Sequence, residues 1–324
     1  MKRKLFEEVE GEETNIEAPK QETPKEDKKS NYPNKVKDML SLPYEEFVKK
    51  LKENAKDPKV QSFLNLGKKD GVPSDEVIKV EENASFACDQ LFPTQSQIGL
   101  ADSLGWLSKN NPKGAAKLIK GDASTFNENR VLTANGKYIL DGHHRWSQVS
   151  LFDPKANIPC INLVIPGLND TQLLRVIQMA IAATYKDIYM KKADAATDIF
   201  DDSKMSEELI REKLPELIGE EMMGVCKEAW GCDEAEVINK MTANAMLIKA
   251  KKPDNAPERE FMPQPGDTAV ELAGRSKEQA SDLKGVPSEV INKMKSGDLN
   301  FRKPFGESKV IKTFESFISS RKSK

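Results

Sequence analysis

Tyr138-Ile139-Leu140-Asp141-Gly142-His143-His144-Arg145-Trp146 changes its local grammar at the glycine. Up to Leu140 the residues are β-prone; after Gly142 they suit a helix from about His143 to Phe152, which Asp153-Pro154 stops. Upstream, Arg130-Val131-Leu132-Thr133 is another β-prone run, separated from Lys137-Tyr138-Ile139-Leu140 by Ala134-Asn135-Gly136. Asn-Gly between two such runs predicts a tight hairpin. Ile158 to Ile165 is the next strand, closed by Pro166-Gly167. The centre of the chain therefore predicts an α+β unit in which one helix starts directly at the end of a strand.

That junction also holds the chain's only two histidines, His143 and His144. Gly142 at a strand end lets the backbone turn sharply and lets a ligand approach it closely. The first N–H groups of the helix lack intrahelical acceptors and sit at the positive end of its dipole, a natural place for an anion. Arg145 adds a permanently charged planar fork suited to phosphate oxygens. The imidazoles can donate to phosphate or move a proton near neutral pH. Asp141 has three candidate roles: metal ligand, orienter of a histidine, or helix cap. The expectation is an active-site turn where amides, imidazole and guanidinium converge on a single anion. The plainer alternative, a capped structural helix with Trp146 and Val149 in the core, stands beside it.

Outward from this unit the texture changes. Residues 1–33 are dense in both charges and poor in large apolar residues, which predicts a disordered tail. Residues 34–75 predict a helical extension, with Pro43 starting a helix and Tyr44, Phe47, Val48 and Leu51 on one face. Val60, Phe63 and Leu64 suggest a second short helix before Gly71-Val72-Pro73. The α+β unit spans 76–166, with further short strands at 77–80 and 85–88 and a helical segment through Leu104. Residues 167–250 read as helices, including segments near 206–229 and 233–250. Residues 251–324 carry four prolines by 265, a linker or extended arm, and then terminal helices, the last near 308–320. Glu236–Met241 recurs identically as Glu289–Met294, which reads as chance or a reused helix face.

Composition bounds the partners. Fifty basic residues against fifty-two acidic give a net charge of -2, so the chain as a whole is no electrostatic glove for nucleic acid. Cys88, Cys160, Cys226 and Cys232 form no CxxC pair; reduced thiols in a cytoplasmic setting are the expectation, without zinc or disulfides. No apolar run is long enough to span a bilayer, and Lys2-Arg3-Lys4 is not followed by an apolar signal core, so a soluble protein with no membrane partner is expected.

Ile139-Leu140-Asp141-Gly142-His143-His144-Arg145-Trp146 resembles the second signature box of the ParB/sulfiredoxin superfamily. Its D-G-H-H-R matches the form found in free serine kinases. Leu91-Phe92-Pro93-Thr94-Gln95 resembles the first box, a proline followed shortly by glutamine after a strand. The resemblance covers residues 76–166 and implies a small mixed-sheet core that binds nucleotide phosphates at the helix start. Carried over residue by residue, Gly142, His144 and Arg145 would contact phosphate, with Gln95 and Thr94 lining the same pocket. His143, His144 and Asp141 are the catalytic candidates. His143 stands where sulfiredoxins carry their catalytic cysteine, so the resemblance does not imply thiol chemistry. The boxes and the helical tail also look like those of ParB-like proteins of tailed bacteriophages.

The resemblance implies a nucleotide such as ATP, ADP or CTP, with phosphoryl transfer or nucleotide hydrolysis as the reaction class; from the residues themselves, Asp141 or Glu82 is the candidate to hold Mg²⁺. Glu81, Glu82 and Asp89 are further candidates for a general base or Mg²⁺ ligand, against the plain reading of solvated strand-end acids. Asn244, Arg259 and Gln264 read as structural or partner-contacting. Two alternatives remain open: a DNA-associated or nuclease-like ParB relative, and a virion or scaffold protein that keeps the fold without activity, with virion proteins as partners. No basic helix-turn-helix follows the unit, and two histidines are too few for an HNH nuclease.

Overall fold

The computed structural model describes residues 39–64, 78–192, 195–264, 288–299 and 301. The expected disordered tail over 1–33, the Gly71-Val72-Pro73 break and the helix expected over 308–320 lie outside these residues.

Four strands form one mixed sheet: β1 (Lys79–Ala87), β2 (Val131–Ala134), β3 (Tyr138–Asp141) and β4 (Asn157–Val164), in the spatial order β1-β4-β2-β3. β4 is antiparallel to β1 and parallel to β2, while β2 and β3 are antiparallel. The Asn-Gly hairpin forms as expected. Asn135 (φ 54) and Gly136 (φ 64) are both left-handed, the backbone that a two-residue turn needs to match strand twist. The Asn135 side chain then ties the turn to the end of β4, donating to the Ile165 carbonyl (3.0 Å) and accepting from the Ile165 N–H (2.7 Å). The two short strands expected at 77–80 and 85–88 are one continuous strand. The register shifts between Glu81 and Ala84, so a bulge absorbs the polar Glu82-Asn83 while β4 templates both halves.

Period-two alternation sends side chains to both faces of the sheet, and helices cover both. Val131, Ile139, Ile158 and Cys160 enter one core with α3 (Leu100–Asn110), α4 (Ala115–Ile119), α5 (His143–Phe152), α7 (Glu207–Trp230) and α8 (Glu234–Lys249). Leu132, Leu140 and Leu163 enter the other with α1 (Tyr44–Asn54), α2 (Pro58–Leu64), α6 (Asp170–Tyr185) and α9 (Ser288–Lys295). Helices from either side of the sequence unit thus complete its two cores. In α1 the predicted face Tyr44, Phe47, Val48 and Leu51 is buried, and Pro43 sits at the cap, one residue before the helix. The duplicated hexapeptide is a reused helix face. Val237 and Met241 of α8 are buried against one side of the sheet, Val290 and Met294 of α9 against the other. Among the described residues no helix is long and apolar enough to cross a membrane.

Candidate functional site

Gly142 is the N-cap of α5 with φ 97 and ψ 25, and no side chain caps the helix. A β-carbon at Gly142 would lie 2.6 Å from Arg145 Nη2 and 2.8 Å from its Nε, because the guanidinium folds back over the turn. Side chains near a helix start lean toward the N-terminus, which gives Arg145 this path. There its Nη2 donates to Asp141 Oδ2 at 2.8 Å and its Nη1 to Asn129 Oδ1, while its buried Nε has no partner among the described residues. Asp141 therefore neither caps α5 nor contacts a histidine; it holds Arg145.

His143 turns inward and is only 4% exposed. Its Nε2 accepts from the Thr94 backbone N–H at 3.1 Å, so the neutral ring carries its proton on Nδ1. Thr94 in turn donates its hydroxyl to the Ile139 carbonyl. Phe92 extends this contact along β3, donating to the Lys137 carbonyl (2.8 Å) and accepting from the Ile139 N–H (2.9 Å). The two sequence boxes are thus adjacent in space, joined by backbone pairing and one imidazole. Burial and the charges of Arg259 and Arg145 push the His143 pKa down to about 3. Gln95 is buried, and its amide is spent on the Gln97 carbonyl.

His144 faces another way, toward two residues that sequence reasoning did not place at the site. Arg259 Nη1 lies 2.9 Å from His144 Nδ1 and 3.2 Å from Nε2, and Asp102 Oδ2 lies 3.6 Å from Nε2. Asp102 also pairs with Arg259 Nη1 at 3.3 Å. With Arg259 donating to Nδ1, the neutral ring keeps its proton on Nε2, on the Asp102 side. The His144 side chain retains 21% of its surface, yet burial first, then Arg259, His143 and Arg145, hold its pKa well below 6.5. Both imidazoles are neutral hydrogen-bonding groups at neutral pH.

Consecutive helical residues point about 100° apart, so the box side chains diverge. His143 reaches the first box, His144 the Asp102–Arg259 pair, and Arg145 the Asp141–Asn129 pair. The expectation that imidazole and guanidinium meet at one anion is not what the structure shows. The two helix starts near the site also differ. That of α3 is satisfied by Thr197, whose hydroxyl accepts from the Ala101 N–H at 3.1 Å, whereas α5 has a glycine cap and no side-chain acceptor.

The remaining candidates lie elsewhere. Glu82 is on β1, three strands from β3 and so roughly 14 Å across the sheet, where Lys295 pairs with it at 2.9 Å. Glu81 accepts from Asn162 Nδ2 at 2.8 Å. Asp89 precedes the first box, its carbonyl accepting from Lys251 Nζ. Among the described residues no group of three or more His, Cys, Asp or Glu is arranged to hold a metal ion. All four thiols are free. Burial raises those of Cys88, Cys160 and Cys226 to about 12, so none is a ready nucleophile.

No family model, curated protein or solved structure matches this chain.

Sequence reasoning passed over Arg259 because it stands 115 residues from His144 in a proline-rich stretch. The signal that could have singled it out is an arginine set between prolines in a short arm after two long helices, a segment with little reason to carry a charge inward.

Proposed function

We propose that the start of α5 is an anion-binding site of ParB/sulfiredoxin type, whose ligand is a nucleotide held through its phosphates. One observation carries this reading. The helix begins at a left-handed glycine with no side-chain cap, between two guanidiniums whose charge is felt at both imidazoles. Free amides at a positive helix end bind anions, and neutral imidazoles add donors without a desolvated charge. In this reading Gly142, Arg145 and His144 contact phosphate. Mg²⁺ would arrive largely ligated by the nucleotide's own oxygens, as such ions usually are, with one or two carboxylates from the protein. Asp102 and Asp141, which pair with the two guanidiniums, would be the carboxylates to serve. His143 serves as the tether between the two boxes: an imidazole buried among cations and already accepting from a main-chain N–H is poorly suited to shuttle protons.

The second reading, a retained fold without turnover, is favoured by the same saturation, since Arg145 and His143 are both occupied by protein partners. Thermal-shift titration with ATP, ADP, CTP and GTP, with and without Mg²⁺, separates the two. A nucleotide at a hundred times its dissociation constant should stabilise the chain by about 2.7 kcal/mol. Arg145→Ala should weaken that binding by about 1.5–3 kcal/mol, the scale of a charge-assisted hydrogen bond. A wild-type protein indifferent to every nucleotide and to orthophosphate would leave only the second reading.

A further inference from the structure

Arg259 reaches the site from outside the sequence unit that contains it. It lies in a one-turn helix, Arg259–Phe261, within an arm that leaves α8 and crosses the site between the two cores. The arm is pinned on both sides of the arginine. The Pro257 carbonyl accepts from the Ser96 N–H at 2.8 Å, and the Phe261 carbonyl accepts from Tyr44 Oη at 3.1 Å and Gln178 Nε2 at 2.9 Å. Phe261 and Met262 are buried in the core on the α1 and α6 side. So the chain fixes a guanidinium at the edge of the uncapped helix start, and the described residues engage only one of its three nitrogens there. Among the described residues all three side-chain contacts of Arg259, to the two nitrogens of His144 and to Asp102, are made by Nη1. Arg145 has the complementary state, with both terminal nitrogens engaged and Nε unpartnered. The two forks stand on different sides of the helix start, one beside Gly142 and one beyond His144.

We propose that Arg259 is a second anion clamp, so that the site accepts two linked phosphates, as in a diphosphate, in preference to a single one. This inference rests on the anion-site reading above and adds the ligand class to it. A single phosphate at the α5 amides meets Arg145 alone. A diphosphate extends past His144 to the Nε and Nη2 edge of Arg259, where a guanidinium can engage two oxygens at once. Asp102 holds that fork in place through Nη1, and no described residue engages its Nε or Nη2. The arm thereby makes ligand choice depend on a residue far from the box in sequence.

The test is calorimetric titration of the full chain with inorganic pyrophosphate and with orthophosphate, without added metal, on wild type, Arg259→Ala, Arg259→Lys and Arg145→Ala, with circular dichroism confirming the fold. Wild type should bind pyrophosphate about tenfold or more tightly than orthophosphate, the scale of one added charge-assisted contact. Arg259→Ala should remove that preference and leave orthophosphate affinity within about twofold of wild type. Arg259→Lys keeps the charge without the fork and should recover only part of the preference. Arg145→Ala should weaken both ligands. If Arg259→Ala weakens both anions equally, or leaves the preference intact, the clamp is wrong while the site stands. If wild type binds neither anion, the site reading itself fails. If Arg259→Ala does not fold, Arg259→Lys decides: an undiminished preference overturns the clamp.

Discussion

His143 accepts a main-chain proton donor from a buried position, and this makes it a pH-dependent element of stability. Protonating Nε2 would set two donors face to face and strand a charge among Arg145 and Arg259. In the unfolded chain the ring titrates near 6.5, in the folded chain near 3, so below pH 6.5 the unfolded state binds the extra proton. Stability from this group is fully present above about pH 6.5 and is lost as the pH falls toward 3, with a limiting slope of about 1.4 kcal/mol per pH unit. His144 acts in the same direction, discounted for its partial exposure. The chain has only two histidines, and carboxylates titrate mostly below pH 5, so the interval from pH 5 to 7 isolates this pair. Urea unfolding across that interval should show wild-type stability falling with acid. His143→Gln, whose side-chain oxygen can still accept from Thr94, should show a shallower fall. Parallel curves for the two proteins would mean that His143 is not held neutral by the fold.

The strand, turn and helix around Gly142 show how one element supports both fold and site. Gly142→Ala would force a left-handed backbone on a residue with a β-carbon, at a cost of about 1–2 kcal/mol, and would drive the Arg145 guanidinium off the turn. Gly136→Ala meets a comparable backbone penalty at φ 64 and a tight contact with the Phe86 ring, 3.2 Å away, but in the hairpin and not at the helix start. Both variants should lose about 1–2 kcal/mol in chemical denaturation. Only Gly142→Ala should also lower orthophosphate affinity, and equal loss in the two variants would detach the glycine from the site. These elements were legible because their signals are local: Asn135-Gly136 for the turn, the β-prone runs around it, and Asp153-Pro154 for the end of α5. The site's outer half was not. Asp102 and Arg259 reach His144 only through the packing of α3 and the arm, and the one local hint, an arginine set between prolines, does not say which residue it faces. The single-anion geometry failed for a reason the helix itself supplies, since His143, His144 and Arg145 are consecutive and must point apart.

At the scale of the whole molecule, the sheet has a separate core on each face, and the arm over 251–264 crosses from one to the other, as the segment between α6 and α7 also does. It begins at α8, where Lys251 Nζ donates to the Leu91 carbonyl at 2.8 Å beside the first box, and ends with Phe261 and Met262 among α1 and α6. Beside the buried Phe261 and Met262 side chains, its polar hold on the second core includes the Phe261 carbonyl, shared by Tyr44 and Gln178. Removing both donors in Tyr44→Phe/Gln178→Leu leaves that buried oxygen unsatisfied, a penalty of about 1–3 kcal/mol. The cost falls on the arm, because the phenyl ring and the leucine still fill their places in the core. Local opening is governed by this local free energy, so trypsin should cut after Arg259 roughly fivefold or more faster in the double variant. Cleavage within the helices should hardly change. Loosening the arm should also reduce the preference for pyrophosphate while sparing orthophosphate, since Arg145 and the α5 amides are untouched. A faster cut with an intact preference would show that Arg259 is held by His144 and Asp102 alone, and that the arm merely delivers it.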